Sequence, residues 1–372
     1  MTDIGTELNQ ELKNEAKDEA NDKMVVIPDD GIGHSLWYYS WKRLKRNKLA
    51  MSGLWVLVML VIVAIFAPFI APFNPNDQIL EFSTKPIGFK GDVLVKKELD
   101  QNGETQYIAI KGIISQTDNS ITYTDYNNQQ QTISKAELNP ENPYKQLTFL
   151  LGTDRFGRDV LSRLIYGSRI SLTVGLISES IAIILGLLFG SIAGFFRGPA
   201  DKFIMWLINV VWAFPSILFV IAISVVLGKG FWQAFVAIGL TAWVDVARIV
   251  RGQIFSIRES EYIEATKAVG FKSPRIIIRH ILPNCLGPVI ITGTVGLATA
   301  IIFEASLSFL GLGVQPPTAS WGNMIYDGYK YLIAGSNWGL AVFPSIAIMI
   351  TVFSVNLFGD GIRDALDPKL KS

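Results

Sequence analysis

Six long apolar windows constrain the fold of this chain more than any other feature of its sequence. A helix needs about 20 mostly apolar residues to cross the hydrocarbon core of a bilayer. Half of the 372 residues are hydrophobic and only 17% are charged, which is too apolar for a soluble globular chain of this length. The sequence therefore predicts an all-α polytopic membrane protein with six transmembrane helices. The windows cover residues 50–73, 170–196, 203–228, 231–248, 287–312 and 338–359.

Basic residues beside the windows predict the orientation, because cytoplasmic flanks are enriched in Lys and Arg. Five of them precede the first window, at 42–48, and seven lie at 248–279, whereas the loop 313–337 holds only Lys330. Both basic flanks and both termini are therefore expected on the cytoplasmic side of a plasma membrane. The four arginines at 154–169 run against this rule, so we expect an amphipathic helix there that lies along the outer surface.

The segment between the first two windows has a different composition. Gln, Asn, Thr and Asp dominate, and "YIAIKGIIS" and "SITYTDYNNQQQTIS" alternate β-branched residues with turn signals. We expect a small β-rich insertion that is either a spacer or docking platform or a ligand site. The predicted domains are a polar cytoplasmic tail (1–33), an interfacial amphipathic segment (34–49), the first transmembrane helix (50–73), the extracytoplasmic β-rich insertion (74–148), a helical core (149–360) and a cytoplasmic tail (361–372).

The stretch "EYIEATKAVGFKSPRIIIRHILPN", residues 261–284, places polar and charged residues between the fourth and fifth windows. Its first part has the spacing of a short two-faced helix. Gly270 supplies the left-handed conformation that commonly ends a helix. Ser273 and Pro274 are typical of the start of a second helix, which is expected to stop or kink at Pro283. On the first helix, Tyr262, Ala265, Thr266 and Val269 share one face and Ser260, Glu261, Glu264 and Lys267 share the other.

From composition alone this hairpin is equally compatible with a simple connecting loop. However, the spacing of Glu264, Ala265, Gly270 and Pro283 resembles the "EAA" loop of the membrane subunits of bacterial ABC importers. The stretches "SLWYYSWKRLKRNKLAMSGL", "LGTDRFGRDVLSRLIYGSRISLTVGL" and "FEASLSFLGLGVQPPTASWGNMI" are similar to the oligopeptide and dipeptide permease family, in its OppC/DppC branch. Thr266 departs from the pattern, because a second Ala is usual there. The insertion is longer than in many members, so no role is transferred to it.

The resemblance implies a non-catalytic permease subunit of an ATP-driven importer in the bacterial plasma membrane. Such a subunit forms half of a translocation path for peptides, together with a second, OppB/DppB-like permease, two ABC ATPase subunits and an external solute-binding protein. The chain has no G-x-x-x-x-G-K-[ST] motif. ATP and Mg²⁺ are therefore expected on the partner subunits, and this chain is expected to bind no cofactor. Importers of nickel or another small solute share this permease type and remain an alternative.

The resemblance also implies a role for the hairpin. In the family its first helix is a coupling helix that lies in a groove of an ATPase subunit, a common mode of recognition for an amphipathic helix. The coupling loop would span residues 249–286. The residues implied in coupling are Glu261, Tyr262, Glu264, Ala265, Thr266, Val269, Gly270 and Pro283.

Three acidic residues fall within or near the ends of the windows, where an ionised group is costly and usually faces the bundle interior or water. Glu179 and Glu304 are therefore candidates for the translocation path. Alternatively, Glu304 makes a helix contact, and Asp245 pairs with Arg248. A proton-coupled secondary transporter would use these acids as a relay, but the hairpin and the lack of inverted repeats disfavour it. A receptor whose site is the insertion would not need five further spans.

Single residues add further expectations. Pro215 predicts a kink in the third window, and Gly186, Gly190 and Gly194 predict close helix packing. The single cysteine, Cys285, excludes an intrachain disulfide, and two histidines give no zinc-site spacing. A net charge of +1 provides no basic field for nucleic acid, whereas the apolar windows require a lipid bilayer.

Overall fold

The structure, a computed structural model, describes residues 36–99 and 105–366. The predicted tail at 1–33 and the last six residues of the predicted tail at 361–372 lie outside this part of the chain. The helices are α1 (Leu36–Arg46), α2 (Lys48–Ile65), α3 (Ala67–Ile70), α4 (Val160–Phe196), α5 (Gly198–Trp212), α6 (Ser216–Leu227), α7 (Phe231–Ile257), α8 (Glu261–Ala268), α9 (Ser273–Ile276), α10 (Leu282–Phe309), α11 (Trp321–Ile333) and α12 (Gly339–Leu366), with a π-helical turn (Ile277–Ile281) between α9 and α10.

The insertion is β-rich, as its alternation predicts. Its strands form two three-stranded antiparallel sheets, with the orders β2-β1-β6 and β3-β4-β5. Side chains alternate between the two faces of a strand, and both faces of β1 are covered. Val93 and Val95 pack in a cluster with Phe82, while Leu94 packs in a second cluster with Ile121. The strands are β1 (Phe89–Leu99), β2 (Thr105–Ile110), β3 (Gly112–Gln116), β4 (Ser120–Thr124), β5 (Gln130–Ser134) and β6 (Tyr144–Phe149).

Helices α4 and α7 form the close contact that the glycine spacing predicts. A methyl group added at Gly190 would lie 2.8 Å from Val250 Cβ and 2.6 Å from the Ala247 carbonyl oxygen. Only glycine therefore allows the two backbones to approach this closely. The contacts run from Gly186 to Val246, from Gly190 to Val250 and from Gly194 to Ile254.

Because both series of contact positions increase along the chain, α4 and α7 run in the same direction. The chain thus leaves α4 at one end of the bundle and enters α7 at the other, so the pair α5–α6 must bring it back. Five helical segments in the described part of the chain are long and apolar enough to span a membrane: α2, α4, α7, α9–α10 and α12. The pair α5–α6 is a sixth crossing if it is taken as one broken span.

The sequence predicts one kinked helix in the third window. The structure has two helices there, which meet at 92°. The break lies at Ala213 to Pro215, where Pro215 has an extended ψ of 126° and precedes α6. Proline has no N–H to donate, and it also disfavours helical geometry in the residue before it. These two effects explain a break that is sharper than a kink.

The second hairpin helix also differs from the prediction, because it does not stop at Pro283. The segment continues as one helical span from Ser273 to Phe309, and its irregularity is the π-helical turn just before the proline. Pro283 occupies the first turn of α10, where a helix tolerates a missing N–H. The start is one residue earlier than predicted, since Lys272 is the N-cap and Ser273 is already helical.

The arginine-rich segment at 154–169 is not a separate surface helix. Its residues from Val160 onward belong to α4, which Asp159 caps by accepting a hydrogen bond from the Ser162 amide at 2.7 Å. Arg158 and Arg163 are each only 2% exposed. They have partners inside the protein and do not need to reach the membrane surface, so the prediction of a separate interfacial helix is wrong for these two arginines. Arg155 and Arg169 are exposed.

The loop elements gather at two opposite ends of the helical bundle. At one end, Leu44 of α1 and Ala50 of α2 pack with Ala365 of α12, next to the loop that contains α8. At the other end, the insertion joins the bundle, where the Phe73 amide donates to the Ser162 hydroxyl at 3.0 Å. We call these the coupling end and the insertion end. The elements predicted to be cytoplasmic thus lie at one end and the insertion at the other, while the side of the membrane that each end faces stays a prediction.

Candidate functional site

Helix α8 lies in the loop between α7 and α9 and is exposed over most of its surface. Its one buried residue is Ile263, which is 0% exposed and packs with Ile254 of α7 and Ile276 of α9. Residues two positions apart lie on nearly opposite sides of a helix, so Ala265 points away from this contact. The loop therefore holds α8 by one side and leaves the Ala265 side free.

Most of the predicted docking face is exposed. Tyr262 is 46% exposed, Val269 is 72% exposed, and Ala265 is exposed as well. Thr266 differs from them, because it is half-buried and its hydroxyl donates to the Ile263 carbonyl oxygen at 2.7 Å. The free apolar surface of α8 thus consists of Tyr262, Ala265 and Val269, with Thr266 at its edge.

The acidic residues of the loop lie where the helix dipole favours them. Glu261 and Glu264 are exposed in the first turn of α8, where backbone N–H groups carry partial positive charge. Glu259, just before α8, accepts a hydrogen bond from Arg197 at 2.6 Å, and this bond lowers the pKa of the Glu259 carboxyl group. That pair connects the end of α4 to the start of the loop.

Gly270 has the left-handed conformation that the sequence predicts, with a φ of +87°. Its amide donates to the Lys267 carbonyl oxygen at 2.9 Å, and the Phe271 amide donates to the Thr266 carbonyl oxygen at 3.2 Å. These two bonds form a Schellman motif, which satisfies carbonyl groups at the end of a helix. Gly270 therefore sets the angle at which the chain leaves α8.

A second connection ties α8 to the following span. The Asn284 side-chain amide donates to the Tyr262 hydroxyl at 3.3 Å and to the His280 carbonyl oxygen at 2.7 Å. The ring of Phe271 also stacks on that of His280, with 6.0 Å between centroids. Asn284 lies next to Pro283, so the proline is part of the junction between the π-helical turn and α10. Motion of α8 would therefore reach α10 directly.

Sequence reasoning missed Ile263, the residue on which the placement of α8 depends. Its side chain falls between the two predicted faces of the helix, so the division into an apolar and a charged face left it out. The available signal was that Ile263 is the one large aliphatic residue in "EYIEATKA". When a short helix has a single large aliphatic residue, the side that carries this residue is expected to face the rest of the protein.

A second candidate site is a cavity of about 270 Å³ between α4, α7, α10 and the α5–α6 break. Glu179 of α4 lines it, is 5% exposed, and has no hydrogen-bond partner at Oε1. Gly296 of α10 makes room for this carboxylate, because a methyl group there would overlap its oxygen atoms. The remaining polar residues of the wall are Trp212, Ser216, Thr241, Asp245, Thr292 and Thr299.

Asp245 does not form the direct pair with Arg248 that the sequence suggests. Its Oδ1 accepts a hydrogen bond from Trp212 Nε1 at 3.0 Å. The Arg248 guanidinium lies over the ring of the same tryptophan, 3.3 Å from its centroid. The indole therefore stands between the two charges and contacts both of them.

Glu304 lies apart from this cavity. It is fully buried, and it accepts hydrogen bonds from the hydroxyl groups of Ser171 at 2.9 Å and Ser308 at 2.8 Å. These bonds connect α4 to α10. The structure therefore favours the helix contact over the path-lining role for Glu304. Within residues 36–99 and 105–366, no group of three or more His, Cys, Asp or Glu side chains lies close enough to hold a metal ion.

Two family models match the chain. One, described as "binding-protein-dependent transport system inner membrane component", matches residues 186–372, and one for the N-terminal transmembrane domain of oligopeptide transport permease C matches residues 35–86. The dipeptide transport system permease protein DppC of Bacillus subtilis is 35% identical over 332 residues, which cover 89% of this chain and 85% of that protein. The chain belongs to this family of binding-protein-dependent permeases. The resemblance and the fold class inferred from the sequence are thereby confirmed.

Other relatives of this permease carry similar names. The oligopeptide transport system permease protein OppC of Bacillus subtilis is 36% identical and covers 91% of each chain. The di/tripeptide permease DppC of Pseudomonas aeruginosa is 34% identical over 89% of this chain and 92% of that protein. A chain of the inward-facing MetNI methionine ABC transporter is 22% identical, with a TM-score of 0.46 over 55% of this permease and 96% of that chain. Neither family model includes the strands of the insertion.

Proposed function

We propose that this permease is a non-catalytic subunit of an ATP-driven peptide importer and forms half of the translocation path. The names of its relatives, which specify dipeptides, di/tripeptides and oligopeptides, support this substrate class. A second permease completes the path, an external solute-binding protein delivers the peptide, and two ATPase subunits bind the ATP and Mg²⁺. The coupling end and both termini face the cytoplasm, and the insertion end faces outward.

The observation that carries the proposal is the exposed side of α8. Tyr262, Ala265 and Val269 enter a groove of the ATPase, with Thr266 at the edge of the contact and the carboxylates of Glu261 and Glu264 at its rim. Gly270 and the first turn of α10 at Pro283 fix the helix to the following span. Because the same loop is attached to α7 and α10, displacement of α8 by the ATPases would tilt both spans.

Ala265→Arg tests this role in the assembled importer. The larger, charged side chain would enter a packed contact without a partner, where it costs roughly 3–5 kcal/mol. We expect the purified permease to lose its ATPase subunits and ATP-driven uptake to fall to background. Ala268→Arg is the matched control, since Ala268 is exposed on the side that carries Glu261 and Glu264. If the Ala265 variant keeps its ATPase subunits and full uptake, α8 is not the coupling helix.

The proposed orientation has its own test. Gln129 is exposed in the insertion, and Ala268 is exposed at the coupling end. We expect Gln129→Cys to react with a membrane-impermeant thiol reagent in intact cells and Ala268→Cys to react only after lysis. The native Cys285 is fully buried and gives a low background. The reverse pattern of labelling would place the coupling end outside and contradict the proposal.

A further inference from the structure

The carboxylate of Glu179 is the starting point, because it is buried beside an open space and one of its oxygens has no partner. Glu179 is 5% exposed, its Oε1 makes no hydrogen bond, and it lines the 270 Å³ cavity. A buried ionisable group without a partner is costly. The cavity beside it is therefore a place where a cationic or hydrogen-donating ligand would supply the missing partner.

The other polar groups of the wall are also acceptors. The hydroxyl groups of Thr241, Thr292 and Thr299 donate their hydrogen to the carbonyl oxygens four residues earlier, at 2.9, 2.9 and 3.0 Å. Once this hydrogen is used, a hydroxyl oxygen can only accept further bonds. The Trp212 N–H is likewise used, since it donates to Asp245. Ser216 alone keeps a hydroxyl that is exposed and can turn either way.

The charge of the wall has one sign. Glu179 and Asp245 line the cavity, and no Lys, Arg or His does so within the described parts of the chain. Arg248 lies over the ring of Trp212 and is not part of the wall. A concave, partly apolar site with two carboxylates and spare hydroxyl lone pairs attracts a cation that has several hydrogens to donate.

We propose that this cavity binds a primary ammonium group of the transported solute, the free amino terminus of a peptide. An –NH₃⁺ group has three donors and no acceptor, which matches a wall of carboxylates and acceptor hydroxyl groups. A cavity of about 270 Å³ is below the usual range for small-molecule sites, so it takes the first residue of a peptide and not the whole chain. The peptide part of this inference rests on the proposed function.

Thiol labelling of the assembled importer in nanodiscs tests the proposal without transport. Thr299→Cys places a thiol on the exposed part of the wall. Its labelling rate is measured with three methanethiosulfonate reagents that carry an aminoethyl, a trimethylammonioethyl or a sulfonatoethyl group. We expect the aminoethyl reagent to react fastest and its advantage over the sulfonatoethyl reagent to fall about tenfold with Glu179→Gln. Gln129→Cys, in the insertion, is the control whose ratios should not depend on Glu179.

Two results would overturn the ammonium site. The first is that Glu179→Gln leaves the ratios of the labelling rates unchanged. The second is that the trimethylammonioethyl reagent, which has the charge but no N–H group, reacts as much faster than the sulfonatoethyl reagent as the aminoethyl reagent does. The amino terminus is tested by protection of the same thiol. We expect dialanine to slow the labelling and N-acetyl-dialanine to leave it unchanged at equal concentration. If dialanine and N-acetyl-dialanine slow the labelling equally, the cavity does not bind the amino terminus of a peptide. An error in the proposed coupling role of α8 would instead appear in the Ala265→Arg experiment and would leave these labelling rates unchanged.

Discussion

Arg158, Arg163 and Asp154 form a buried charge network at the insertion end of the bundle, whereas the charged side chains of α8 at the coupling end are exposed. The pair of Arg251 and Asp201, also at the coupling end, is half-buried. At the insertion end, Arg158 donates to Asp154 through Nε and Nη2, both at 2.7 Å, and Asp327 of α11 lies 3.4 Å from the same guanidinium. At the coupling end, the loop before and along α8 carries exposed acids, and Ile263 alone buries its side chain beneath the helix. The two ends therefore use different interactions to hold their loops.

The difference indicates which end is built to move. Separating the members of a buried ion pair leaves uncompensated charges, so a movement that pulls this network apart is costly in free energy. A short helix held by one aliphatic side chain and one exposed side-chain hydrogen bond can shift or detach at a much smaller cost in free energy, as expected of elements that change position during function. We therefore expect the insertion end to act as a fixed platform and the coupling end to be the part that follows a partner.

Asp154→Ala should have the largest effect on stability, because it removes the central carboxylate of the buried charge network at the insertion end. Asp154 also accepts hydrogen bonds from the Phe156 and Arg158 amides, and Arg163 lies 3.5 Å from its Oδ2. Its loss leaves two buried guanidinium groups short of a counter-charge, and we expect a loss of roughly 3–5 kcal/mol of unfolding free energy. Thermal unfolding of the detergent-solubilised permease measures it.

The control for this variant is Asp92→Ala, in the insertion itself. Asp92 accepts hydrogen bonds from Tyr144 and Gln146 at exposed positions, so its removal should lower the stability by much less. An Asp154 variant as stable as the Asp92 variant would mean that the insertion end is not held by its buried charges. The contrast between the two ends would then fail.

Features that depend on local sequence signals were predictable, and features that depend on distant partners were not. The spans, the β-rich insertion and the left-handed Gly270 follow from local signals: apolar length, alternation and a glycine after a helical pattern. The glycines at Gly186, Gly190 and Gly194 were predicted to pack, although their partner helix was not. In each case the information lies within a few residues.

Long-range partners account for most of what the sequence did not predict. Asp327 is 169 positions from Arg158, and nothing near the arginine indicates that α11 will supply its counter-charge. The interfacial helix was therefore a reasonable alternative for isolated arginines. The 92° break at Pro215 was underestimated for a related reason: a proline gives the position of a bend, but the packing around it sets the angle. Ile263 shows the same limit, since its burial depends on α7 and α9.

Ile263→Ala should have an intermediate effect that is confined to the coupling end. It removes most of a buried side chain from the cluster with Ile254 and Ile276, which costs about 2–4 kcal/mol in a packed site. We expect α8 to lose its protection from hydrogen–deuterium exchange and ATP-driven uptake to fall, while the unfolding of the insertion end is unchanged.

Ile278→Ala is the matched control for Ile263, because Ile278 lies in the same loop and is 67% exposed. It should leave both exchange and uptake near their original values. If exchange rises equally across the insertion end in the Ile263 variant, the coupling end is not an independent unit. The proposed division into a fixed and a movable end would need to be abandoned.

Gly270→Val should have the smallest effect on stability and the most specific effect on coupling. A methyl group at Gly270 meets no atom within 4 Å, so the substitution is not opposed by packing. Its cost comes from the left-handed backbone, where a side chain adds about 1–2 kcal/mol. Gly252 of α7 has equally open surroundings and lies within a regular helix, so Gly252→Val introduces the same side chain without that strain. We expect the Gly270 variant to redirect α8 and uncouple ATP hydrolysis from uptake, while the Gly252 variant keeps both. Equal coupling in the two variants would show that the exit angle of α8 does not matter, and that Ile263 alone positions this helix.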